Sequence, residues 1–298
     1  MSYRLKTGEG IAAGMRRIAR EELESALCEI AAATPTNEAA AVHAARKSIK
    51  KTRALLRLIR DKIDREIFKE ENRCLRDIAQ SLSGPRDSRV ELQLVEKLRE
   101  QVPPGLTFGK TTAALQEEVA ANAETFAPQR HAAEATLQLI CDRIEGWPLD
   151  DLGMNDLCCG LRDFYRRGRK YYRRACARKT PENFHAWRRR VKDFWYQSRL
   201  LCNLNPTVMC EISEAAGTLG KKLGELHDLA FFRLHLREKQ GIDEEERSVL
   251  FGLIYSGESE LEEAVLDLGA RFFAEKSGAF ERRLLRYARA WPAPADAA

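Results

Sequence analysis

Two helix-length runs in this chain open on a histidine and carry positive charge along one face. The first begins at His43 and presents Arg46, Lys47, Lys50, Arg53 and Arg57. The second begins at His185 and presents Arg188, Arg189, Lys192 and Arg199. Superimposing the histidines brings Arg46 onto Arg188, Lys47 onto Arg189, Lys50 onto Lys192 and Arg57 onto Arg199. Guanidinium forks and ammonium point charges repeated in this way suit a ligand with many closely spaced anionic groups.

At 100° per residue, with His43 at zero, Arg46, Lys47, Lys50 and Arg57 fall within about 60° and Arg53 lies about 80° away. Val42, Ala45, Ile49, Thr52, Leu56 and Ile59 collect on a different face, as do Phe184, Trp187, Val191, Phe194 and Leu201 in the second run. Each helix is thus amphipathic, with one face for a core and one for a ligand. From Arg46 to Arg57 the stripe spans ~17 Å. Lys51 corresponds to Asp193, on the helix shoulder, so this position is expected to make no ligand contact. An ordinary solvated face would mix signs, because like charges at i,i+4 destabilise a helix. Arg46-Lys50 and Arg188-Lys192 go unrelieved, which favours an anion site.

A third basic stretch, Arg162 to Lys179, interleaves Arg166, Arg169 and Arg173 with Tyr165, Tyr171 and Tyr172, and its spacing predicts one wall of a groove. His131 and His235 read as structural. His43, His185 and His227 are site candidates, since imidazoles among cations lean neutral and gain a proton when a polyanion arrives. Asp87 and Asp228 would either orient such side chains or cap the next helix.

The elements that must hold these residues are helical. Periodicity of 3.6 recurs throughout and no sustained alternation of period two is present. Breaks are expected at Thr34-Pro35, Ser83-Gly84-Pro85, Pro103-Pro104-Gly105, Gly146-Trp147-Pro148, Thr180-Pro181, Asn205-Pro206, Gln240-Gly241 and Ser277-Gly278. Thr180-Pro181-Glu182 combines a capping hydroxyl with proline at the first helical position. Asp87 lies 44 positions after His43 and Asp228 43 after His185. This spacing predicts two similar helical-bundle halves, 1–147 and 148–290, followed by a disordered tail at 291–298.

The 298 residues are 44% hydrophobic, enough for a sizeable core. A net charge of +5 is too small to argue binding, so distribution carries the argument: His43 to Arg60 holds seven Lys or Arg and no acid. No signal-like or membrane-length apolar run occurs, so a cytoplasmic protein with no membrane partner is expected. The eight cysteines form no Cys-x-x-Cys pair and read as reduced, mostly buried small side chains.

The paired His-x-x-Arg-(Lys/Arg)-x-x-Lys helices, the run Tyr165-Arg166-Arg167-Gly168-Arg169 and the segment Leu223-Gly224-Glu225-Leu226-His227-Asp228-Leu229 together resemble the conserved histidine α-helical domain (CHAD) family, from about Gly10 to Arg289. The resemblance implies an all-α fold of two four-helix bundles related by a pseudo-twofold axis, with basic residues lining a shared groove or pore. It further implies binding of inorganic polyphosphate and association with polyphosphate granules. The matching positions are His43, Arg46, Lys47, Lys50, Arg53, Arg57, His185, Arg188, Arg189, Lys192, Arg199, His227 and Asp228. Arg86 stands where the second half has His227, and Trp195 where the first half has Arg53. The alternating Glu-x-Glu-x-Lys strand of the CYTH domains often fused to this family is not found, so a stand-alone binding module is expected.

Three functions compete. A non-enzymatic polyphosphate receptor, needing no cofactor or metal, accounts for the duplicated cations. Nucleic-acid binding would use the same cations but needs exposed stacking platforms, for which Tyr196 and the tyrosines near Arg166 are the candidates. A metal-dependent phosphohydrolase would have to be assembled from His43, His185, Asp87 and Asp228, without a phosphate-cradling glycine loop.

Overall fold

The computed structural model describes residues 3–292 except 35, 83, 104, 106, 124–125 and 240–241; the side chains of 84–88 and 121–128 lie outside the description as well. The described residues are all-helical, without strands. In chain order the helices are α1 (Ile11–Ala31), α2 (Glu38–Leu58), α3 (Arg65–Ser81), α4 (Gly84–Arg99), α5 (Gly109–Ala123), α6 (Phe126–Arg143), α7 (Met154–Ala177), α8 (Pro181–Leu200), α9 (Pro206–Glu238), α10 (Glu244–Phe272) and α11 (Ser277–Arg289). The two histidine-led runs are α2 and α8.

Local chemistry explains the boundaries. Thr180 accepts a hydrogen bond from the Asn183 amide and Pro181 opens α8, so the donor that proline lacks is one the first turn leaves unbonded anyway. Asn205 and Pro206 start α9 in the same way. Asp64 caps α3 through the amides of Glu66 and Ile67, ending a turn that contains neither proline nor glycine.

The main core is continuous from Tyr3 and Leu5, through Val42, Ala45 and Ile49 of α2, to Trp187, Val191 and Phe194 of α8 and Leu284 of α11. Residues of both expected halves therefore share one interior. Gly160 lets α7 press on the end of α2, since a Cβ there would stand 2.5 Å from the Leu58 carbonyl oxygen. Gln197 Nε2 donates to the Ala54 carbonyl at 3.0 Å, joining α8 to α2 inside the core. A second core joins Val95 and Leu98 of α4, Phe108 and Leu115 to Phe232 and Leu236 of α9 and to Leu250 and Ile254 of α10. Trp291 packs against the main core, and 293–298 lie outside the described residues.

The cysteines depart from expectation. Cys202 and Cys210 form a disulfide, their Cα atoms 5.5 Å apart. The cause is the chain reversal between α8 and α9, which a count of sequence spacing does not reveal. Cys141 and Cys158 are buried and reduced, but Cys28 and Cys176 are exposed. Burial pushes the Cys158 thiol up to about 12, so it is inert near neutrality. No helix among the described residues is long and apolar enough to cross a membrane.

Candidate anion-binding groove

α2 and α8 meet along a groove of about 340 Å3. Its lining comprises His43, Arg46, Lys47, Lys50, Arg53 and Arg57 from α2, with Arg188, Arg189, Lys192, Asp193, Trp195 and Tyr196 from α8. The charged faces thus converge, because each helix buries its apolar face in the same core. A second cavity of about 220 Å3 adjoins it, sharing Arg46, Lys50 and Arg188 and adding Val90, Glu91, His227, Asp228 and Phe231.

Neighbouring helices fix the cations. Arg46 Nη1 donates to the Ala79 carbonyl near the end of α3, and Arg53 Nε donates to Asn72 Oδ1 at 3.3 Å. Arg57 Nη1 bonds Asp193 Oδ1 at 2.6 Å, so the one acid lining the groove ties the two basic helices together. On the α9 side, Gly217, Gly220 and Gly224 form a strip without side chains. A Cβ at Gly220 would meet the Lys192 stem at 3.3 Å, and one at Gly217 would come 2.9 Å from Trp195 Nε1. α8 therefore lays Trp195, Lys192 and Arg188 directly on the α9 backbone.

Burial and like charge strain these groups toward neutrality. Lys192 is lowered to about 8, first by burial and then by Arg188, with Asp228 opposing. Arg53 is lowered to about 10 by burial and then by Arg57. His185 is lowered by burial, then by Arg188 and Arg189. An anion entering the groove would oppose the shifts of Lys192 and Arg53, which line it, whereas His185 is in the lining of neither cavity.

The histidines separate. His43 lines the groove. His185 faces His227, with the two Nδ1 atoms 3.3 Å apart, a contact that requires one ring to accept and hence to be neutral there. His227 reaches the adjoining cavity. His235 is held as a structural histidine, its Nδ1 2.6 Å from buried Glu91 Oε2. With Glu118 these two form the one group of potential metal ligands found among the described residues, and Lys239 also bonds Glu118, at 2.7 Å.

Several sequence expectations need correction. Arg166, Arg169 and Arg173 do not line the groove. Arg169 Nε donates to the Phe273 carbonyl at the end of α10, Arg166 pairs with Asp163 on its own helix, and Arg173 is exposed. The stretch is basic because α7 also packs on α11, where Arg162 meets Glu281. Lys51 does not sit on a free shoulder: its Nζ bonds both Glu22 oxygens, at 2.7 and 2.8 Å, in a largely buried pair. Asp193, its counterpart, is a groove residue after all. Trp195 packs against the core edge and also lines the groove, with Lys192 4.7 Å and Arg199 5.4 Å from its ring centre. Arg199, expected in the site, is in the lining of neither cavity and also stacks on Tyr3. Tyr196 borders the groove but is 7% exposed, too buried to offer a stacking face. Tyr165 is likewise buried, stacked on Phe280. Asp228 lies inside α9 and not at the start of the next helix. Asp87 and Arg86 fall in the stretch whose side chains lie outside the described residues.

The structure is thus an all-helical protein with a cation-lined groove between two histidine-led helices. A family model for the CHAD domain matches residues 17–237, and the chain belongs to the CHAD-domain family. The match covers both basic helices and most of α9. No curated relative matches the chain.

Proposed function

We propose that the protein is a non-enzymatic receptor for inorganic polyphosphate, held in the groove between α2 and α8 and able to reside in the cytoplasm or on polyphosphate granules. One observation carries the reading: nine of the twelve groove-lining residues are Arg, Lys or His, drawn from both runs, against the single acid Asp193. Membership of the CHAD-domain family supports it. The same reading takes the two runs as copies related by a pseudo-twofold axis. Linear polyphosphate offers anionic groups at every step and no base or sugar, and both walls of the groove carry cations, five from α2 and three from α8 besides His43. The affinity is a sum of modest charge-assisted contacts, with counterions released from the chain.

Nucleic acid fits less well, because Trp195 is the partly exposed aromatic of the groove and its ring is already flanked by Lys192 and Arg199. Phosphoryl transfer fits less well again, since the one carboxylate in the groove is engaged by Arg57 and Arg190. The deciding experiment is competition at fixed ionic strength between long-chain polyphosphate and single-stranded DNA of equal charge. Polyphosphate is expected to displace the DNA at far lower concentration. Equal competition would leave only diffuse attraction of polyanions.

A further inference from the structure

The cavity beside the groove has a chemistry that an inorganic polyanion does not use. Three of its residues, Arg46, Lys50 and Arg188, are shared with the groove, but it adds the carboxylates Asp228 and Glu91 and the aromatic ring of Phe231. Carboxylates repel phosphate, and a phenyl ring offers it nothing. Phe231 is 48% exposed although its neighbour Phe232 is fully buried in the second core, so packing of α9 does not call for it. Its ring stands 6.3 Å from that of His227, on the cavity wall. Glu91 Oε1 is a buried acceptor without a hydrogen-bond partner among the described residues.

We propose that this cavity receives the nucleoside end of a nucleoside polyphosphate whose phosphates lie on Arg46, Lys50 and Arg188. The inference rests on the polyphosphate reading of the groove and names a capped class of ligand for it. The base stacks on Phe231, a contact open to any π-face. Val90, from α4, supplies an apolar surface in the same cavity. Asp228 accepts from the ribose hydroxyls or from an exocyclic amine, groups that inorganic chains lack. At about 220 Å3 the cavity suits one end group and not a folded length of polymer.

The test exploits opposite signs. At equal phosphate number, adenosine 5′-tetraphosphate has one ionisable oxygen fewer than inorganic tetrapolyphosphate, so electrostatics alone makes it the weaker ligand. Calorimetric titration of the full chain with each, at one pH and ionic strength and without divalent cations, is expected to show the adenosine form binding roughly ten-fold tighter. Phe231→Leu should erase that preference while leaving tetrapolyphosphate affinity in place, and Phe231→Trp should keep it. Equal or weaker binding of the adenosine form, or a preference that survives in Phe231→Leu, overturns the proposal while leaving the polyphosphate reading standing. If neither compound binds while long-chain polyphosphate does, this proposal falls alone; if long-chain polyphosphate fails to bind as well, the polyphosphate reading falls with it.

Discussion

Arg57 Nη1 and Asp193 Oδ1 stand 2.6 Å apart although 136 residues separate them in sequence. This contact joins two rows of cations that would otherwise repel, and Arg190 approaches the same carboxylate at 3.5 Å. Asp193 therefore stabilises the groove while reducing its positive potential.

Asp193→Asn is expected to lower stability by on the order of 3 kcal/mol, since both partners are at least four-fifths buried and Arg57 is left uncompensated. Polyphosphate affinity should hold or rise, because an anion is removed from the groove. Thermal melting with and without polyphosphate measures both, and the ligand should raise the variant's midpoint more than the parent's.

Charge reversals of equal size should separate by place. Lys50→Glu and Lys192→Glu should each weaken polyphosphate binding at least about ten-fold, through a lost charge-assisted contact and added repulsion. Arg173→Glu, on the exposed face of α7, should cost less than about three-fold once salt screens it. Lys51→Glu belongs to a different class: it would set two carboxylates together beside Glu22 and lower the melting temperature without testing the groove. Equal losses in the Lys50 and Arg173 variants would mean that the ligand senses only overall charge.

Alkaline pH should release the ligand. With Lys192 lowered to about 8, its charge is largely present at pH 7 and largely gone at pH 9 in the free protein. Polyphosphate affinity should thus fall through that window, with proton uptake on binding near pH 8. Lys192→Arg keeps its charge and should flatten the fall.

Acid pH should act in two directions through His185, whose folded value lies below the ordinary ~6.5. A neutral imidazole in the fold contributes stability present above the unfolded value and lost as pH falls through the folded one. The ligand-free midpoint should drop on that descent. Polyphosphate binding should strengthen over the same range, because phosphates favour the imidazolium. His185→Gln removes both trends, measured as midpoint and affinity from pH 7.5 to 5.5.

Much of this was legible in the residues. Helix ends followed proline and glycine, and the cation rows followed from a 100° projection, because a helix exposes whichever face its core does not claim. The end of α2 carried a weaker signal, the Asp64 cap, with no proline or glycine to mark it. Shoulder positions misled: Lys51 and Asp193 lie at similar angles on their helices, but one faces Glu22 of α1 and the other Arg57 of α2. A single-helix projection carries no information about which neighbour arrives. The α7 stretch misled for the same reason, its arginines being divided between α11, the end of α10 and solvent.

The bare strip on α9 bears on how tightly each cation can hold a phosphate. A lysine free in solvent surrenders up to about 2 kcal/mol of rotamer freedom when it is immobilised. Lys192 has its stem against Gly220 and its ammonium over Trp195 before any ligand arrives, so much of that loss was incurred when the chain folded. On the α2 side Arg46, Arg53 and Arg57 are likewise held in advance, by the Ala79 carbonyl, Asn72 and Asp193, so a phosphate meets cations on both walls whose ordering was completed in folding.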